Sequence, residues 1–420
     1  MTLEKPRLFL ERRDFMFFAV VMLLLVGIRL SLTYHTYQIF IAKPFYYTTA
    51  RVLNSYPKTK NGKTYTVLKL ESREGLTFFT TSYRKRDLHH RAVRIQLYPN
   101  ERITFWEYLG SFYTKSRIKE VYSRPSTVKT RLMQRVAVQH TDPMADAFYQ
   151  AVFFAAPLPK ALREKISALG VSHLVALSGF HLGILWSVIY GILLLLYRPF
   201  QQRYFPYRFS LVDVGIVTVL CLGLYVWFVD FPPSLVRSYA MVLVGWVVVL
   251  LGMELLSFTF LTTVGLTLLV LFPGLLVSLG FWLSMAGVFY IFLLLQYTKG
   301  IPAWVISLLV IPLGIFALML PIVHTVFEST TPYQLLSPLL SVLFIPFYPL
   351  AILLHLLGAG ALLDSALLGL FRLPHGSSAS LLPLWMAAGY LLLSLWAVWS
   401  RKIFYLLLGT ALLYAVYIFC

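Results

Sequence analysis

The chain has 420 residues, of which 59% are hydrophobic and only 13% are charged. A soluble globular protein typically has about 45–50% apolar and about 25% charged residues, so this composition excludes a soluble enzyme and predicts a polytopic α-helical membrane protein. The two cysteines, Cys221 and Cys420, also exclude a disulfide framework and a cysteine-based metal site, and we expect neither a metal nor a cofactor.

The net charge of +19 is concentrated in one part of the chain. Residues 43–165 contain 23 Lys and Arg against 9 Asp and Glu, whereas residues 166–420 contain only 8 against 5. This shift in composition predicts a basic, polar segment that precedes a long apolar block.

The chain begins with a polar stretch, 1–14, followed by an apolar run over 15–34. The run is long enough to cross a hydrocarbon core of about 30 Å, and no signal-peptide cleavage site follows it. We therefore expect an uncleaved first transmembrane helix. The flanking basic residues place residues 1–14 in the cytoplasm and the following domain outside; they are Lys5, Arg7, Arg12 and Arg13.

Residues 43–125 change to a β pattern. Five short runs rich in Tyr, Phe, Val, Ile and Thr, the last over 102–113, are separated by turn-like pieces such as Pro57–Gly62 and Ser72–Gly75. The pattern predicts a small antiparallel β-barrel or meander. The OB-fold, whose surface commonly binds oligonucleotides, is one solution among several small barrels.

A basic and aromatic cluster within this domain suits single-stranded nucleic acid. Cationic side chains can follow the phosphates while aromatic rings stack on the bases. The alternative is a solvated basic loop or a contact with anionic lipid headgroups. The candidate DNA-binding residues are Arg84, Lys85, Arg86, Arg91, Arg94, Phe78 and Phe79.

Residues 126–168 are predicted to form a helical connector with an apolar piece at the membrane interface. Residues 169–420 are predicted to form a transmembrane domain, giving roughly ten transmembrane helices with the first helix included. The basic loops fit a cytoplasmic N-terminus except near the end of the chain. That exception predicts one more crossing or a re-entrant, proline-broken segment within 333–376, lining a cavity.

The stretch HLVALSGFHLG contains the first polar group inside this block. In one continuous helix, His173, Ser178 and His181 would share a face. Gly179 and Gly183 would let another helix approach closely. Ionisable residues in a membrane are candidates for function, although hydrogen bonding between helices is the alternative.

Two further polar segments follow. In DFPPSLVRS, Arg237 is predicted to pair with Asp230 or Asp213 and to line a cavity; the alternative is that it reaches back to the interface. In FPGLLVSLGFWLSMAG, the small residues, Ser284 among them, favour close helix packing.

These segments carry a family resemblance. HLVALSGFHLG closely resembles the signature of the ComEC competence family, the inner-membrane DNA-uptake channels of transformable bacteria. The lead-in at 162–174, PSLVRSYAM at 233–241, the stretch 273–284 and the stretch 327–349 are similar to further family segments in the same order. The positions that match by motif are His173, Ser178, Gly179, His181, Gly183, Arg237 and Ser284.

The resemblance implies a multi-pass inner-membrane protein with a periplasmic OB-like domain, which passes single-stranded DNA inward during natural transformation. Many relatives end in a metallo-β-lactamase-like domain, and this chain has no H-x-H-x-D-H run, so we expect a short form without enzyme activity. The implied partners are a periplasmic DNA receptor, a cytoplasmic ATPase or helicase or strand-binding proteins, a separate nuclease and, as a homo-oligomer, a second copy of the chain.

Two rival functions stay open at this point. One is an intramembrane hydrolase that uses Ser178 with His181 or His173 as a nucleophile and base. The other is a transporter of a different substrate with a basic sensor domain.

Overall fold

The computed structural model describes residues 9, 11–60, 63–82, 88, 91–122, 128–250, 257–373 and 378–419. They form two compact units. The sheet unit consists of residues 9–127 and 262–281, and the helical unit consists of residues 128–261 and 282–420. Among the described residues, the sheet unit contains all the strands longer than two residues.

Helix α1 (Arg12–Ile41) opens the sheet unit and is longer than the predicted span over 15–34. Apolar side chains such as Met16 and Phe17 are exposed on its surface, as expected for a helix surrounded by lipid. Near its end, the buried Tyr37 and Phe40 join the core of the sheet unit. The last turns of α1 are therefore packed against protein.

Six strands form one mixed sheet in the order β5-β3-β2-β1-β4-β6. All neighbours are antiparallel except β3 and β5, which are parallel. The Thr80 and Ser116 hydroxyls of β3 and β6 lie 2.7 Å apart, so the sheet also curves round to bring these two strands together. The strands are β1 (Tyr46–Lys60), β2 (Lys63–Ser72), β3 (Thr77–Ser82), β4 (Ala92–Tyr98), β5 (Phe112–Tyr113) and β6 (Lys115–Tyr122).

Alternation along the strands builds the core of the sheet unit. Side chains on successive residues of a strand point to opposite faces, so every second residue is available for burial. The fully buried side chains obey this rule: Val52, Leu68, Leu70, Phe78, Val93, Ile95 and Leu97. The β pattern recognised in the sequence is therefore the pattern of one buried face.

The expected fifth strand over 102–113 is wrong for most of its length. Residues Phe105–Leu109 form helix α2, and only Phe112–Tyr113 pair as a strand. Thr104 caps the helix by accepting the Glu107 backbone N–H, while the Glu107 carboxylate accepts the Thr104 backbone N–H. This reciprocal capping box outweighs the β preference of the aromatic residues around it.

The predicted turns have different outcomes. Gly75 (φ +84°) closes a tight turn onto Ser72, as expected. The turn expected at Pro57–Gly62 is wrong up to Lys60, because β1 continues through Pro57, which pairs with Thr66. The partner strand β4 pairs only with residues 46–51 of β1. Beyond them β1 has no strand on that side among the described residues, and an unpaired edge tolerates the missing proline N–H.

The remaining elements are mainly helices. The shortest, α12, continues through a π turn (Ile306–Val310) into α13. They are α3 (Val128–Ala137), α4 (Pro143–Phe154), α5 (Lys160–Ala168), α6 (Ser172–Val175), α7 (Gly179–Tyr204), α8 (Ser210–Phe228), α9 (Pro233–Leu250), α10 (Phe258–Leu271), α11 (Leu279–Tyr297), α12 (Ala303–Val305), α13 (Ile311–Val323), α14 (Ser337–Leu356), α15 (Asp364–Phe371), α16 (Leu384–Trp396) and α17 (Arg401–Phe419). Two short strands, β7 (Ser329–Thr330) and β8 (Ser378–Ala379), pair with each other.

Seven helices of the described chain are long and apolar enough to cross a membrane, against the roughly ten predicted. They are α1, α7, α8, α11, the continuous α12–α13, α14 with the turn before it, and α17. The other three predicted spans fall on α9, α10 and α16, whose apolar stretches are 10–17 residues long. The structure thus has the helices of a multi-pass membrane protein.

The region 333–376 differs from the expected proline-broken segment. Helix α14 continues without a break through Pro346 and Pro349. The chain reverses after it at Gly358 (φ +76°) and enters α15, which has only 8 residues. At about 1.5 Å per residue, α15 is too short to cross a hydrocarbon core of about 30 Å.

Helix α4 lies at the centre of the helical unit. All residues from Phe148 to Phe154 are buried, so every face of this helical stretch contacts protein. Its neighbours in the same core include Phe344 and Tyr348 of α14 and Phe371 of α15. An apolar helix of 12 residues, predicted to lie at the membrane interface, is thus enclosed by the rest of the unit.

Candidate functional site

The stretch 173–183 is not one helix. His173 belongs to the short α6, the chain is extended at Ala176, and α7 begins at Gly179. The Ser178 hydroxyl caps α7 by accepting the Phe180 backbone N–H at 3.3 Å, and His181 Nδ1 accepts the Ser178 backbone N–H at 3.4 Å. The expected shared helical face is therefore wrong, because Ser178 acts as an N-cap that starts the helix.

The two histidines of this stretch have different surroundings. His181 is fully buried, and its ring contacts the edges of Phe344 and Tyr348 with centroids 5.2 and 5.0 Å away. Its Nε2 atom has no hydrogen-bond partner among the described residues. His173 is exposed, and its Nε2 atom lies 3.3 Å from the Ser341 hydroxyl. His181 is therefore enclosed by aromatic rings in this conformation.

The start of α7 packs directly against α9. A Cβ atom on Gly179 would lie 3.1 Å from the Ser238 hydroxyl oxygen. The Ser234 hydroxyl donates to the Leu177 carbonyl at 2.7 Å. The two polar stretches singled out in the sequence, 173–183 and 230–238, thus meet where their helices begin.

The other small residues of the prediction do not join this contact. A Cβ atom on Gly183 would meet no atom within 4 Å, so the expected close approach occurs at Gly179 alone. Ser284 lies exposed on α11. Neither residue contributes to the junction of α7 and α9 in this conformation.

The loop before α9 has a strained backbone. Asp230 and Phe231 both have left-handed φ angles, +70° and +53°, which cost free energy for residues other than glycine. The Asp230 carboxylate accepts a 2.7 Å hydrogen bond from Lys129 Nζ, which also donates to the Val229 carbonyl. Lys129 is only 7% exposed, so this ion pair fastens α3 to the strained loop.

Both carboxylates expected to pair with Arg237 contact other cations. Asp230 is held by Lys129, and Asp213 accepts hydrogen bonds from Arg208 at 2.8 Å and from the Tyr197 hydroxyl. Arg237 itself lies partly buried on the first turns of α9. Arg237 thus lies next to Ser238, which contacts the start of α7, and its pairing with a carboxylate stays a prediction.

A cleft of about 370 Å³ lies beside the junction. Its volume falls within the range of about 300–1,000 Å³ that is usual for ligand pockets. The described lining residues include the Arg163 guanidinium and three serine hydroxyls but no Asp or Glu. The lining is Ala151, Ala155, Ala156, Leu158, Arg163, Ile166, Ser167, Ser172, Val175, Ala176, Leu177, Pro232 and Ser234.

The chemistry of the cleft favours an anionic ligand. Arg163 offers a positive charge, and its Nη2 atom already donates to the Leu158 carbonyl at 3.0 Å, which orients the group. Charged donors form stronger hydrogen bonds to anions than neutral ones do. The absence of carboxylates from the described lining removes a source of repulsion.

The candidate DNA-binding residues of the sheet unit separate into three groups. Arg84, Lys85 and Arg86 lie outside the described residues. Arg91 and Arg94 are exposed, and Arg94 contacts Glu120 at 3.4 Å. The stacking role of Phe78 is wrong, because its ring is fully buried against Phe112; Phe79 is half-buried beneath Lys69.

A second polar cluster was missed from the sequence. His140 contacts Asp364 through Nδ1 at 2.8 Å and His355 through Nε2 at 2.9 Å. His140 is more than 200 positions away from both His355 and Asp364 along the chain, so no local pattern links it to them. The sequence did contain one indication. His355 and Asp364 lie in apolar surroundings, where an unpaired polar group costs free energy, so each is expected to need a partner.

The comparison with protein families bears directly on the helical unit. A sequence profile of the Competence protein family matches residues 155–418, which is more than half of the chain. The chain belongs to the Competence protein family. The resemblance of HLVALSGFHLG and the segments after it to ComEC proteins is thereby confirmed. Neither a curated protein nor a solved structure matches the chain.

The Competence match begins at Ala155, which lines the cleft, and includes both stretches that meet beside it. The strands of the sheet unit lie outside the matched range. Membership in the Competence family indicates a role in DNA uptake during transformation, carried out by a membrane protein.

Proposed function

We propose that this Competence family protein passes single-stranded DNA across the inner membrane during natural transformation. The observation that carries the proposal is the cleft, where the two family segments 173–183 and 230–238 meet. Its hydroxyl and guanidinium donors suit the phosphates of a DNA backbone. In this conformation the cleft is one part of a route, and conduction requires a further opening past the aromatic packing around His181.

The proposed topology places the N-terminus in the cytoplasm and the sheet unit in the periplasm. Helix α1 is long and apolar enough to separate the two. Basic residues flank its start, including Arg12 and Arg13, and such residues favour the cytoplasmic side. The inner membrane is the location that suits passage of DNA from periplasm to cytoplasm.

We assign the sheet unit the role of collecting the strand, as an OB-like barrel. An OB-like barrel is a nearly closed sheet of five main strands. Here the five longer strands follow the order β3-β2-β1-β4-β6, and β5 and β6 both return to β3. The exposed Arg91 and Arg94 can contact phosphates, and the Phe79 ring beneath Lys69 offers a partly accessible stacking surface.

The proposed conduit needs other proteins to drive it. The sequence contains no G-x-x-x-x-G-K-[ST] motif, so the driving force is assigned to a cytoplasmic ATPase or helicase, or to strand-binding proteins. A periplasmic receptor would deliver the DNA and a separate nuclease would remove the second strand. A second copy of the chain is a further candidate partner.

The geometry of Ser178 argues against the intramembrane hydrolase. Its hydroxyl accepts the Phe180 backbone N–H, and His181 Nδ1 accepts the Ser178 backbone N–H. A nucleophile needs its own hydroxyl hydrogen bonded to the base. These contacts are those of a helix N-cap.

The test uses a deletion strain complemented with variants and supplied with labelled duplex DNA. Without the protein, we expect label to accumulate in the periplasm and none to reach the cytoplasm. Ala176→Trp, which places an indole in the cleft, should strongly reduce cytoplasmic label. Ala161→Trp is the matched control, because Ala161 lies exposed on α5 outside the cleft lining.

Unchanged DNA transfer in the deletion strain would favour a transporter of another substrate and refute the proposal. Equal effects of the two tryptophan variants at equal protein levels would refute the role of the cleft. Replacing Arg91 and Arg94 by Gln in the same strain tests the sheet unit, with slower transfer of label from the periplasm to the cytoplasm as the expected result.

A further inference from the structure

The chain segment that follows α3 is fastened to the turn between α14 and α15. His140 Nδ1 lies 2.8 Å from an Asp364 oxygen, and His140 Nε2 lies 2.9 Å from His355 Nε2. His355 Nδ1 lies 2.6 Å from the Ala351 carbonyl oxygen. The carboxylate, two imidazoles and carbonyl therefore form one continuous chain of three hydrogen bonds.

The neighbouring Gln139 makes backbone contacts with the same turn. Its side-chain nitrogen donates to the His355 carbonyl at 3.1 Å, and its oxygen accepts the Gly360 N–H at 2.9 Å. A Cβ atom on Gly360 would lie 2.7 Å from both the Gln139 oxygen and the His355 ring. The fit around the two imidazoles is therefore tight.

The number of protons in this chain follows from its end groups. A carbonyl oxygen only accepts, so His355 Nδ1 carries a proton that it donates to Ala351. The bond between the two Nε2 atoms requires a second proton, and the bond between His140 and Asp364 requires a third. Two neutral imidazoles and an ionised carboxylate hold only two such protons between them. The three hydrogen bonds therefore require one additional proton.

Three arrangements satisfy this count. In the first, His140 is an imidazolium that donates to the ionised Asp364 and to His355. In the second, His355 is an imidazolium that donates to His140, and the neutral His140 donates to the ionised Asp364. In the third, Asp364 is a carboxylic acid that donates to His140, and both imidazoles are neutral. The cluster has no net charge in any of them, which suits its burial: the side chain of His140 is 0% exposed and that of Asp364 is 13% exposed.

The groups that face the cluster leave this count unchanged. The Tyr149 ring of α4 stacks on His140 at a centroid distance of 4.7 Å and lies 4.5 Å from His355. Burial, reinforced by the Asp364 carboxylate, raises the pKa of the Tyr149 hydroxyl, so Tyr149 keeps its proton. Two residues after His140, the Asp142 carboxylate accepts the Met144 backbone N–H as the N-cap of α4.

We infer that Asp364, His140 and His355 form a proton-binding site that fastens residues 139–140 to the turn between α14 and α15. Loss of the third proton would leave one of these contacts without a proton, so that two acceptor atoms face each other, and would leave an uncompensated negative charge in a buried place. The contact would then separate. This inference stands on the hydrogen-bond geometry and does not depend on the DNA conduit.

The test counts protons in the full-length protein reconstituted in nanodiscs. Imidazole ¹⁵N chemical shifts distinguish neutral from doubly protonated rings, and the carboxyl ¹³C shift of Asp364 reports its protonation. His140→Gln, His355→Gln and Asp364→Asn assign the signals by their disappearance. His324→Gln is the control, because the buried His324 contacts Thr330 outside the cluster.

At neutral pH we expect the three side chains to carry three protons together, in any of these arrangements. In Asp364→Leu the third proton should be lost, because the leucine side chain neither neutralises an imidazolium nor donates a hydrogen bond to His140. Amide hydrogen exchange around 139–140 should then rise, with α5 unchanged. A count of two or four protons in the unsubstituted protein would overturn the inference, as would unaltered exchange in folded Asp364→Leu protein that has lost the proton.

Discussion

Adding one methyl group at the contact between α7 and α9 should destabilise the helical unit. In Gly179→Ala, the new Cβ atom would lie 3.1 Å from the Ser238 oxygen and 3.3 Å from the Ser238 Cβ atom, so the helices must separate slightly. Overpacking of this kind costs about 1–3 kcal/mol. The better helix propensity of alanine offsets at most about 1 kcal/mol, so a net loss of up to about 2 kcal/mol remains when that offset is complete.

The free energy of unfolding is measured on the full-length protein in mixed micelles, with helix loss on addition of denaturing detergent followed by circular dichroism. Gly191→Ala on the same helix is the matched control, because its Cβ atom would meet no atom within 4 Å. There we expect a gain of up to about 1 kcal/mol. Adding Ser238→Ala to Gly179→Ala removes the nearest oxygen atom and should restore part of the loss.

Equal changes in the free energy of unfolding for Gly179→Ala and Gly191→Ala would refute the reasoning, because helix propensity alone would then explain both values. A double variant that is no more stable than Gly179→Ala would show that the Ser238 hydroxyl is not the opposing atom.

Two further predictions concern the charged contacts of each unit. Lys129→Met should lower the free energy of unfolding by about 1–3 kcal/mol, because it leaves the Asp230 carboxylate without its buried ammonium partner. Lys160→Met is the control: it removes an exposed ion pair and should change the same free energy by less than about 1 kcal/mol. Similar values for the two variants would contradict the assigned burial. Burial alone would raise the pKa of Glu74, but hydrogen bonds, chiefly from the Thr48 hydroxyl at 2.7 Å, hold it below its ordinary value of 4.5. These bonds therefore stabilise the protein above pH 4.5, and the stabilisation is lost as the pH falls. When unfolding is measured between about pH 5 and pH 3, the free energy of unfolding should fall less steeply in Thr48→Val than in the unsubstituted protein.

Local sequence patterns predicted most elements but not where helices begin. The alternation of apolar residues identified the strands, since period two is a direct property of the extended chain. At 102–113 and 173–183, by contrast, a single cap residue decided the structure. Thr104 starts a helix within an aromatic run that resembles a strand, and Ser178 caps α7, which therefore begins at Gly179 and does not extend back to His173.

The candidate site was predictable as a pair of segments but not as a set of contacts. Hydrophobic surroundings made the stretches 173–183 and 230–238 conspicuous, and the structure brings them together. Which groups pair depends on three-dimensional packing: Asp230 contacts Lys129, a residue outside the membrane block, about 100 positions away. His140 lies more than 200 positions before His355 and Asp364, so the apolar surroundings of the latter two indicate that they need partners but do not identify His140 as the partner.

The burial of α4 has a consequence for biogenesis. This helix emerges from the ribosome before α14 and α15, which supply part of its surroundings. The apolar faces of α4 therefore stay uncovered until those helices are synthesised, about 200 residues later. Contacts between residues so far apart in the sequence form slowly. Final assembly of the helical unit therefore follows synthesis of α14 and α15.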